Sequence, residues 1–421
     1  MQSLERERRE LGRRDCRHHS AGPFHVEGID LATGDVDPCR LDRRVATAVE
    51  DERRIGADES SAIHALLDLG LVEVSFRLAP AIPHAPYSAR TMRTIDWVGD
   101  KVELIDQTRL PEEVTTLRVS DVPTLIDAIK RLAVRGAPAL GVAGAFGVAL
   151  AYRAHEGSPE AFERAVRSLR AARPTAVNLA RMVDRVAVQA EHGFEAVLTE
   201  AFAVRDEELA ASRQMGKKGA ELVRELVGDR PVRAMTICNT GGLATVERGT
   251  ALAVIQTLHE EGALEDAIVL ETRPLLQGAR LTTWELRRIG APHRVIVDSA
   301  GPFLLARAAA DIVVTGADRV AANGDTANKV GTFSLALGAQ YARVPFVVVA
   351  PESTVDLTTP TGAEIEIEDR GAEEVVVFRD LHVAPDGTAA SNPAFDVTPR
   401  DLITALVTER RIVRFAEGER L

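Results

Sequence analysis

Val232-Arg-Ala-Met-Thr-Ile237-Cys238-Asn-Thr-Gly-Gly-Leu-Ala-Thr245 is the stretch on which the fold turns. Its apolar start predicts a short buried strand ending at Ile237. A thiol follows at once, then the Asn239-Thr-Gly-Gly242 turn, then a helical pattern from Leu243 to His259. Strand, polar turn and helix in that order predict one unit of a parallel sheet. In such sheets ligands bind at the carboxyl ends of the strands. Cys238 would then sit at the mouth of a helix N-terminus, where the dipole favours anions and can lower a thiol pKa. A buried structural cysteine at a strand end is the other reading.

Downstream, the same alternation continues. Strands are predicted at 232–237, 267–270, 294–297, 311–314 and 345–350, with helices at 243–261, 278–289, 302–310 and 330–342. This is a doubly wound α/β pattern with a Rossmann-like parallel sheet. The tail carries Asn392-Pro-Ala-Phe-Asp-Val-Thr-Pro399 and is expected to end in a helix from Arg400. Upstream, residues 92–227 read as a smaller, mostly helical domain. It opens on a short sheet, in which Thr94–Trp97 and Lys101–Ile105 flank Gly99-Asp100 in a hairpin pattern. Helices follow at 121–132, 139–154, from Ser158 as a cap, 173–192 and 194–227. The helix 139–154 is almost wholly Ala, Gly, Val, Leu and Phe, so it should be buried all round. The catalytic domain is placed at 228–421.

Residues 1–91 differ in texture. They begin with dense mixed charge (Glu5-Arg-Glu-Arg-Arg-Glu10). One helix (61–69) and one strand (72–77) are legible, and a Pro-rich linker closes the segment at 79–88. This is read as a disordered N-terminal extension, or as upstream sequence included by too early a start codon, with Met92 the alternative start. A regulatory appendage is the competing reading.

The composition is that of a soluble protein: 421 residues, 45% hydrophobic and 27% charged. A net charge of −12 argues against nucleic acid and an anionic membrane as partners. No uninterrupted apolar run reaches transmembrane length. Cys16, Cys39 and Cys238 form neither a disulfide framework nor a metal pattern, and a reducing cytoplasm is expected. Only five residues are lysine, so Lys329 stands out.

Polar residues cluster after four strands: Cys238-Asn239, Glu271-Thr-Arg-Pro-Leu-Leu-Gln277, Asp298, and Thr315-Gly-Ala-Asp318 followed by Asn323-Gly-Asp-Thr-Ala-Asn328-Lys329. A parallel sheet brings these ends together. A desolvated Asp318 and the Cys238 thiol could form an acid–base pair. Arg135 and Arg173 each precede a helix start, where cation and free amides suit a phosphate. Turn or cap roles for Asp318, Glu271 and Asp298, and surface charge for the arginines, are the alternatives. The glycines near 241 do not make a dinucleotide fingerprint.

Taken in order, Arg135-Gly-Ala-Pro-Ala-Leu-Gly141, Arg173-Pro-Thr-Ala-Val-Asn178, Cys238–Thr245, Glu271–Gly278, Gly316–Arg319, Asn323–Lys329 and Asn392–Pro399 carry a resemblance. From Met92 onward the chain resembles the methylthioribose-1-phosphate isomerases of methionine salvage. These share a superfamily with ribose-1,5-bisphosphate isomerases and the regulatory subunits of initiation factor 2B. The resemblance implies a cytoplasmic homodimer that isomerises a small phosphosugar without metal or other cofactor. It implies Cys238 and Asp318 as the catalytic pair, and Arg135, Gly136, Ala137, Arg173, Gln277, Asn328 and Lys329 as substrate-binding positions. A ribose-1,5-bisphosphate isomerase and a non-catalytic regulatory protein are the alternatives. Ile237 departs from the pattern: many relatives carry His there.

Overall fold

The computed structural model describes residues 92–173, 176–378 and 380–421, and, upstream of these, only the paired strands His25–Val26 and Ile29–Asp30. The chain divides into units Met1–Phe76 and Arg77–Leu421. The expectations for residues 1–91 otherwise lie outside the described residues.

The second unit opens on a three-stranded antiparallel sheet, Ile95–Val98, Lys101–Ile105 and Thr116–Val119. The first two strands are the expected hairpin; the third was not foreseen. Asp121 caps the helix Val122–Lys130, its Oδ1 accepting the Thr124 N–H at 2.8 Å. Ser158 precedes the helix Pro159–Arg170 but makes no capping bond, contrary to expectation. Pro159 itself starts that helix, with φ preset and no N–H to satisfy.

The helix Ala137–Ala154 is buried along most of its length, as its composition requires. Length and apolarity alone would let it cross a membrane, yet 72% of it lies inside the protein. It packs without side-chain ridges at Gly144 and Gly147. A Cβ at Gly147 would lie 2.6 Å from a Leu169 methyl and 2.7 Å from one of Leu125. The helix Val177–Ala187 follows, and then the 34-residue helix Phe194–Val227. The first half of that long helix joins the apolar core of the helical part through Val197, Ala201, Val204 and Leu209. Its second half joins the core of the sheet part through Met215, Ala220, Leu222 and Val223.

The main sheet has seven strands. From edge to edge they are Ile412–Val413, Ala405–Val407, Phe346–Val349, Ile312–Thr315, Val232–Thr236, Leu264–Leu270 and His293–Ile296. All neighbours are parallel except the edge hairpin 405–413. The Rossmann-like reading therefore holds, with two strands added. They occupy the place of the expected C-terminal helix, of which only the turn Arg400–Leu402 forms. Ile403, Thr404, Val407 and Thr408 are β-branched, which favours a strand. Ala405, Leu406 and Val407 are all buried beside Phe346–Val349.

A smaller four-stranded sheet, in the order Val355–Asp356, Arg319–Ala321, Thr326–Lys329, Phe395–Thr398, also went unread. Its hairpin turns at Asn323-Gly324, the predicted turn signal, where Gly324 has φ +94°.

The predicted helix after Cys238 needs the larger correction. Gly242–Ala244 make one 3₁₀ turn, and the α-helix begins only at Ala251. Gly249 has φ +93°, and a Cβ there would lie 2.0 Å from the Thr240 carbonyl oxygen. The Thr250 N–H donates to that same oxygen at 2.7 Å. The loop therefore folds back on the Cys238 turn before the helix can start.

Candidate functional site

Val232–Thr236 and Ile312–Thr315 are neighbouring parallel strands. Their carboxyl ends deliver Cys238 and Asp318 to the same side of the sheet. Cys238 is buried and adopts a left-handed φ of +67°. Such a conformation costs a non-glycine residue roughly 1–2 kcal/mol. Two hydroxyls hold it there. The Cys238 N–H donates to Thr272 Oγ1 at 2.9 Å, and Thr282 Oγ1 donates to the Cys238 carbonyl at 2.7 Å. Thr272 is held in turn by Asp298, which accepts the Thr272 and Arg273 N–H groups at 2.7 Å each. Asp298 thus has the turn role that was its alternative reading.

Burial pushes the Cys238 thiol pKa up. The Arg135 and Lys329 charges pull it down, and Asp318 pushes it further up. Lowering by a helix N-terminus, expected from the sequence, does not occur because no helix starts there. Thr240 Oγ1 instead accepts the Leu252 N–H, 3.2 Å away at the start of the real helix.

Asp318 lies just past its strand, with its N–H donating to the Ala327 carbonyl at 2.9 Å. Burial raises its carboxyl pKa, opposed by Lys329, Arg173 and Arg135 and aided by Glu368. Lys329 is buried; burial lowers its pKa while Cys238 and Asp318 raise it. Its Nζ donates to the Ala394 carbonyl at 2.8 Å and lies 4.9 Å from the Phe395 ring centre. Arg135 and Lys329 therefore act on both the Cys238 thiol and the Asp318 carboxyl.

Arg135 is buried just ahead of the helix Ala137–Ala154. Its Nε donates to Gln107 Oε1 at 3.0 Å, one Nη to the Asn239 carbonyl at 2.9 Å, and the other Nη to Asn239 Oδ1. Gln107 Nε2 donates to the Leu243 carbonyl at 2.7 Å. The helical part is thereby tied to the turn after Cys238. Gly136 has φ +96°, and a Cβ there would lie 2.5 Å from the Ala244 carbonyl oxygen.

Five of the seven expected binding residues line two cavities, whereas Asn328, Lys329 and the Cys238 thiol line neither of them. Gly136, Ala137, Arg173 and Asp318 line a small one of about 40 Å³. Arg173 lies 3.6 Å from Glu368. Arg135 and Gln277 line a larger one of about 550 Å³, with Leu110, Leu275, Leu276 and Phe378 among its apolar walls. Gln277 is buried, and its Oε1 has no hydrogen-bond partner, as suits a group awaiting a ligand. Asn328 is buried next to Lys329, but its Nδ2 is engaged by Thr332 Oγ1 at 2.9 Å. Among the described residues no group of three or more His, Cys, Asp or Glu side chains is gathered to hold a metal.

Sequence reading missed Gln107, Thr272 and Thr282, and also Glu285, whose Oε1 accepts the Asn239 Nδ2–H at 2.6 Å. Thr272 sits inside the quoted Glu271–Gly278 motif; nothing in the local pattern marks the other three.

The model of the initiation factor 2 subunit family matches residues 133–413, which spans Arg135, the Cys238 turn and Lys329 together. The chain belongs to that family. Within it, the chain joins the methylthioribose-1-phosphate isomerases. The enzyme of that name from Anaeromyxobacter sp. (strain K) is 50% identical over 76% of this chain and 92% of its own. That from Alkalilimnicola ehrlichii is 46% identical over 77% and 94%. A probable bifunctional isomerase/dehydratase of Nocardia farcinica is 51% identical, and the match covers 60% of its length. The crystal structure of 5-methylthioribose 1-phosphate isomerase from Pyrococcus horikoshii OT3 superposes with a TM-score of 0.71 at 38% identity, covering 77% of this chain and 92% of that one. The eIF-2B delta subunit from A. fulgidus gives 0.69 at 38%, covering 78% and 98%. This family member is an isomerase.

Proposed function

We propose that the chain converts 5-methylthioribose 1-phosphate into 5-methylthioribulose 1-phosphate, with Cys238 and Asp318 as its proton-handling pair. One observation carries the reading: a buried thiol and a desolvated carboxyl stand at the ends of adjacent strands under the shared field of Arg135 and Lys329. The substrate's C1 carries a phosphate ester, so the ring opens only if its oxygen is protonated. Asp318, whose raised pKa favours the protonated form, donates that proton, and the bond from C1 to the ring oxygen breaks. The Asp318 carboxylate then takes the proton of the C2 hydroxyl as the C2 carbonyl forms.

Meanwhile hydrogen moves from C2 to C1. In an enediol route the Cys238 thiolate removes it as a proton and returns it to C1. In a hydride route it migrates with its electron pair, and the thiol stays neutral. The raised thiol pKa favours the second. Turnover in D2O separates the two, because only the enediol route can bring solvent deuterium to C1.

Arg135, Gly136, Ala137, Arg173, Gln277, Asn328 and Lys329 would hold the phosphate and hydroxyls, by charge and by backbone amides. The leucines of the larger cavity suit a thioether. Of its arginines, Arg131 is engaged by Asp106 and Asp127, and Arg273 by the Pro274 and Val375 carbonyls, while Arg109 and Arg135 also line it.

A cytoplasmic homodimer completes the proposal. An apolar face made by Phe303, Phe333, Leu337 and Tyr341, the last 82% exposed, suits a second copy. Light scattering at twice 45.4 kDa is the expected result.

The deciding assay compares turnover of methylthioribose 1-phosphate with that of ribose 1,5-bisphosphate. It is run on the parent and on Cys238→Ser and Asp318→Asn, each expected to bind substrate but lose turnover. Full activity in either variant removes that residue from the pair. Preference for the bisphosphate overturns the substrate.

A further inference from the structure

A carboxylate that the mechanism above leaves unused lies behind the site. Glu285 is on the helix Thr283–Ile289, and its Oε1 accepts the Asn239 Nδ2–H at 2.6 Å. Its Oε2 faces the Leu243 N–H at 3.4 Å, and the Gly242 N–H also bonds to the carboxylate. Burial raises the Glu285 carboxyl pKa, and Asn239, Arg135 and the Leu243 and Gly242 N–H groups pull it back toward the accepting carboxylate.

The route to it is cleared by a glycine. A Cβ at Gly241 would lie 2.4 Å from Glu285 Oε1. Gly241 has an ordinary φ of −92°, so it is the space for the carboxylate, not backbone freedom, that requires glycine there.

Asn239 sits between opposite charges. Its Nδ2 gives hydrogens to Glu285 and to Thr282 Oγ1, the latter at 3.2 Å, while its Oδ1 accepts from Arg135. A flipped amide would turn two donors onto a guanidinium and leave the carboxylate facing an oxygen. Glu285 therefore fixes which way Asn239 points, and Asn239 fixes Arg135. Three of the five guanidinium N–H groups are bound, to Gln107 and twice to Asn239. Five less three leaves two for an anion. Glu285 is also a direct counter-charge to Arg135.

We infer that Glu285 is a positioning residue: through Asn239 it orients the Arg135 guanidinium and the turn that carries Cys238. This rests on the reading of that turn as the reaction site. Arg135, Lys329 and Asp318 are the charged groups that act on the thiol. Glu285 offsets the first of them, so its charge reaches the thiol indirectly.

The test uses the nearly isosteric Glu285→Gln, with Glu285→Ala beside it. Either amide rotamer of Gln sets one donor against another, at Asn239 or at Gly242 and Leu243. The expected result is a loss of kcat/KM on the order of 100-fold, the scale of a misplacement of about 1 Å. The pH profile should also move, its thiol-dependent limb shifting to lower pH as the Arg135 charge goes uncompensated. Inorganic phosphate is the second probe, used as a competitive ligand and measured in a Cys238→Ser background. There the lost orientation of Arg135 should outweigh the removal of a nearby negative charge, so Glu285→Gln should weaken phosphate binding whether or not the thiol is catalytic. If Cys238→Ser proves fully active, the thiol reading fails, and the phosphate measurement still tests Glu285. The inference is overturned if Glu285→Gln stays within threefold of the parent. It is equally overturned if activity falls with the melting temperature while the pH profile and phosphate binding stay put.

Discussion

Replacing Gly136 by alanine tests whether the site is assembled by docking the helix that starts there onto the turn after Cys238. Gly136 combines φ +96° with ψ 137°, a region that only glycine enters without strain. Holding another residue in such a region costs about 1–3 kcal/mol. The added methyl also meets the Ala244 carbonyl oxygen at 2.5 Å, Cα at 2.7 Å and Cβ at 2.8 Å, all on one rigid turn. Overpacking of this kind adds about 1–3 kcal/mol. The total penalty is therefore about 2–6 kcal/mol.

The clash can be relieved only by moving the Gly242–Ala244 turn or the start of the helix. Either movement pulls on the chain from the Leu243 carbonyl through Gln107 to Arg135. A displacement near 1 Å should lower kcat/KM about 100-fold. The assay pairs kcat/KM with denaturant unfolding, and Gly157→Ala is the control. Gly157 has φ +77° with nothing within 4 Å of its added Cβ, so it carries backbone strain without a clash. Gly136→Ala activity within threefold of the parent, or an equal activity loss in the control, would refute the docking argument.

Two further predictions concern stability. Glu208 is buried with Ser212 Oγ 3.4 Å away, and burial, reinforced by Glu409, pushes its pKa from 4.5 up to about 8. A raised carboxyl pKa gives stability that is full below the unfolded value and is lost as pH rises through the folded one. The gap of about 3.5, at about 1.4 kcal/mol per pH unit, caps the loss near 5 kcal/mol. Glu208→Gln should match the parent at about pH 4 and exceed it in urea unfolding at about pH 9; parallel behaviour at both pH values would sink this. Gly147→Ala should cost about 1–3 kcal/mol against Leu169 and Leu125 while leaving kcat/KM of the folded enzyme unchanged, and a loss of turnover without loss of stability would count against it.

The parallel sheet was legible because its strands are short, apolar and separated by helix-length segments. The elements that went unread carry weaker signals. Thr116–Val119 is four residues with two of its side chains exposed, so its alternation is shallow. Arg319–Ala321 and Thr326–Lys329 are polar at their ends and looked like loop between stronger elements. The tail from Arg400 reads as helix because Leu402, Ile403, Leu406 and Val407 fall at a helical spacing. Register with Phe346–Val349 decided otherwise, which is a tertiary effect that no local window contains.

For the site, the sequence singled out Cys238, Asp318, Arg135 and Lys329, which the structure buries within one another's electrostatic reach, and the structure corrected what surrounds the first of them. A helix dipole beside Cys238 would have argued for a ready thiolate. The turn at Gly249 delays that helix, and Thr240 spends its hydroxyl on capping it, so the thiol meets burial in place of a dipole. A neutral thiol is a poor base for a C–H bond but no obstacle to a hydrogen that migrates with its electrons. In the proposed mechanism Asp318 keeps the oxygen proton work under either route. Under the hydride route Cys238 would contribute shape and low polarity, and under the enediol route it would handle the carbon-bound proton. On the hydride route Cys238→Ala should keep more activity than Asp318→Asn. Steady-state turnover of the two variants decides it, and a deeper loss for Cys238→Ala would return the thiol to the role of base.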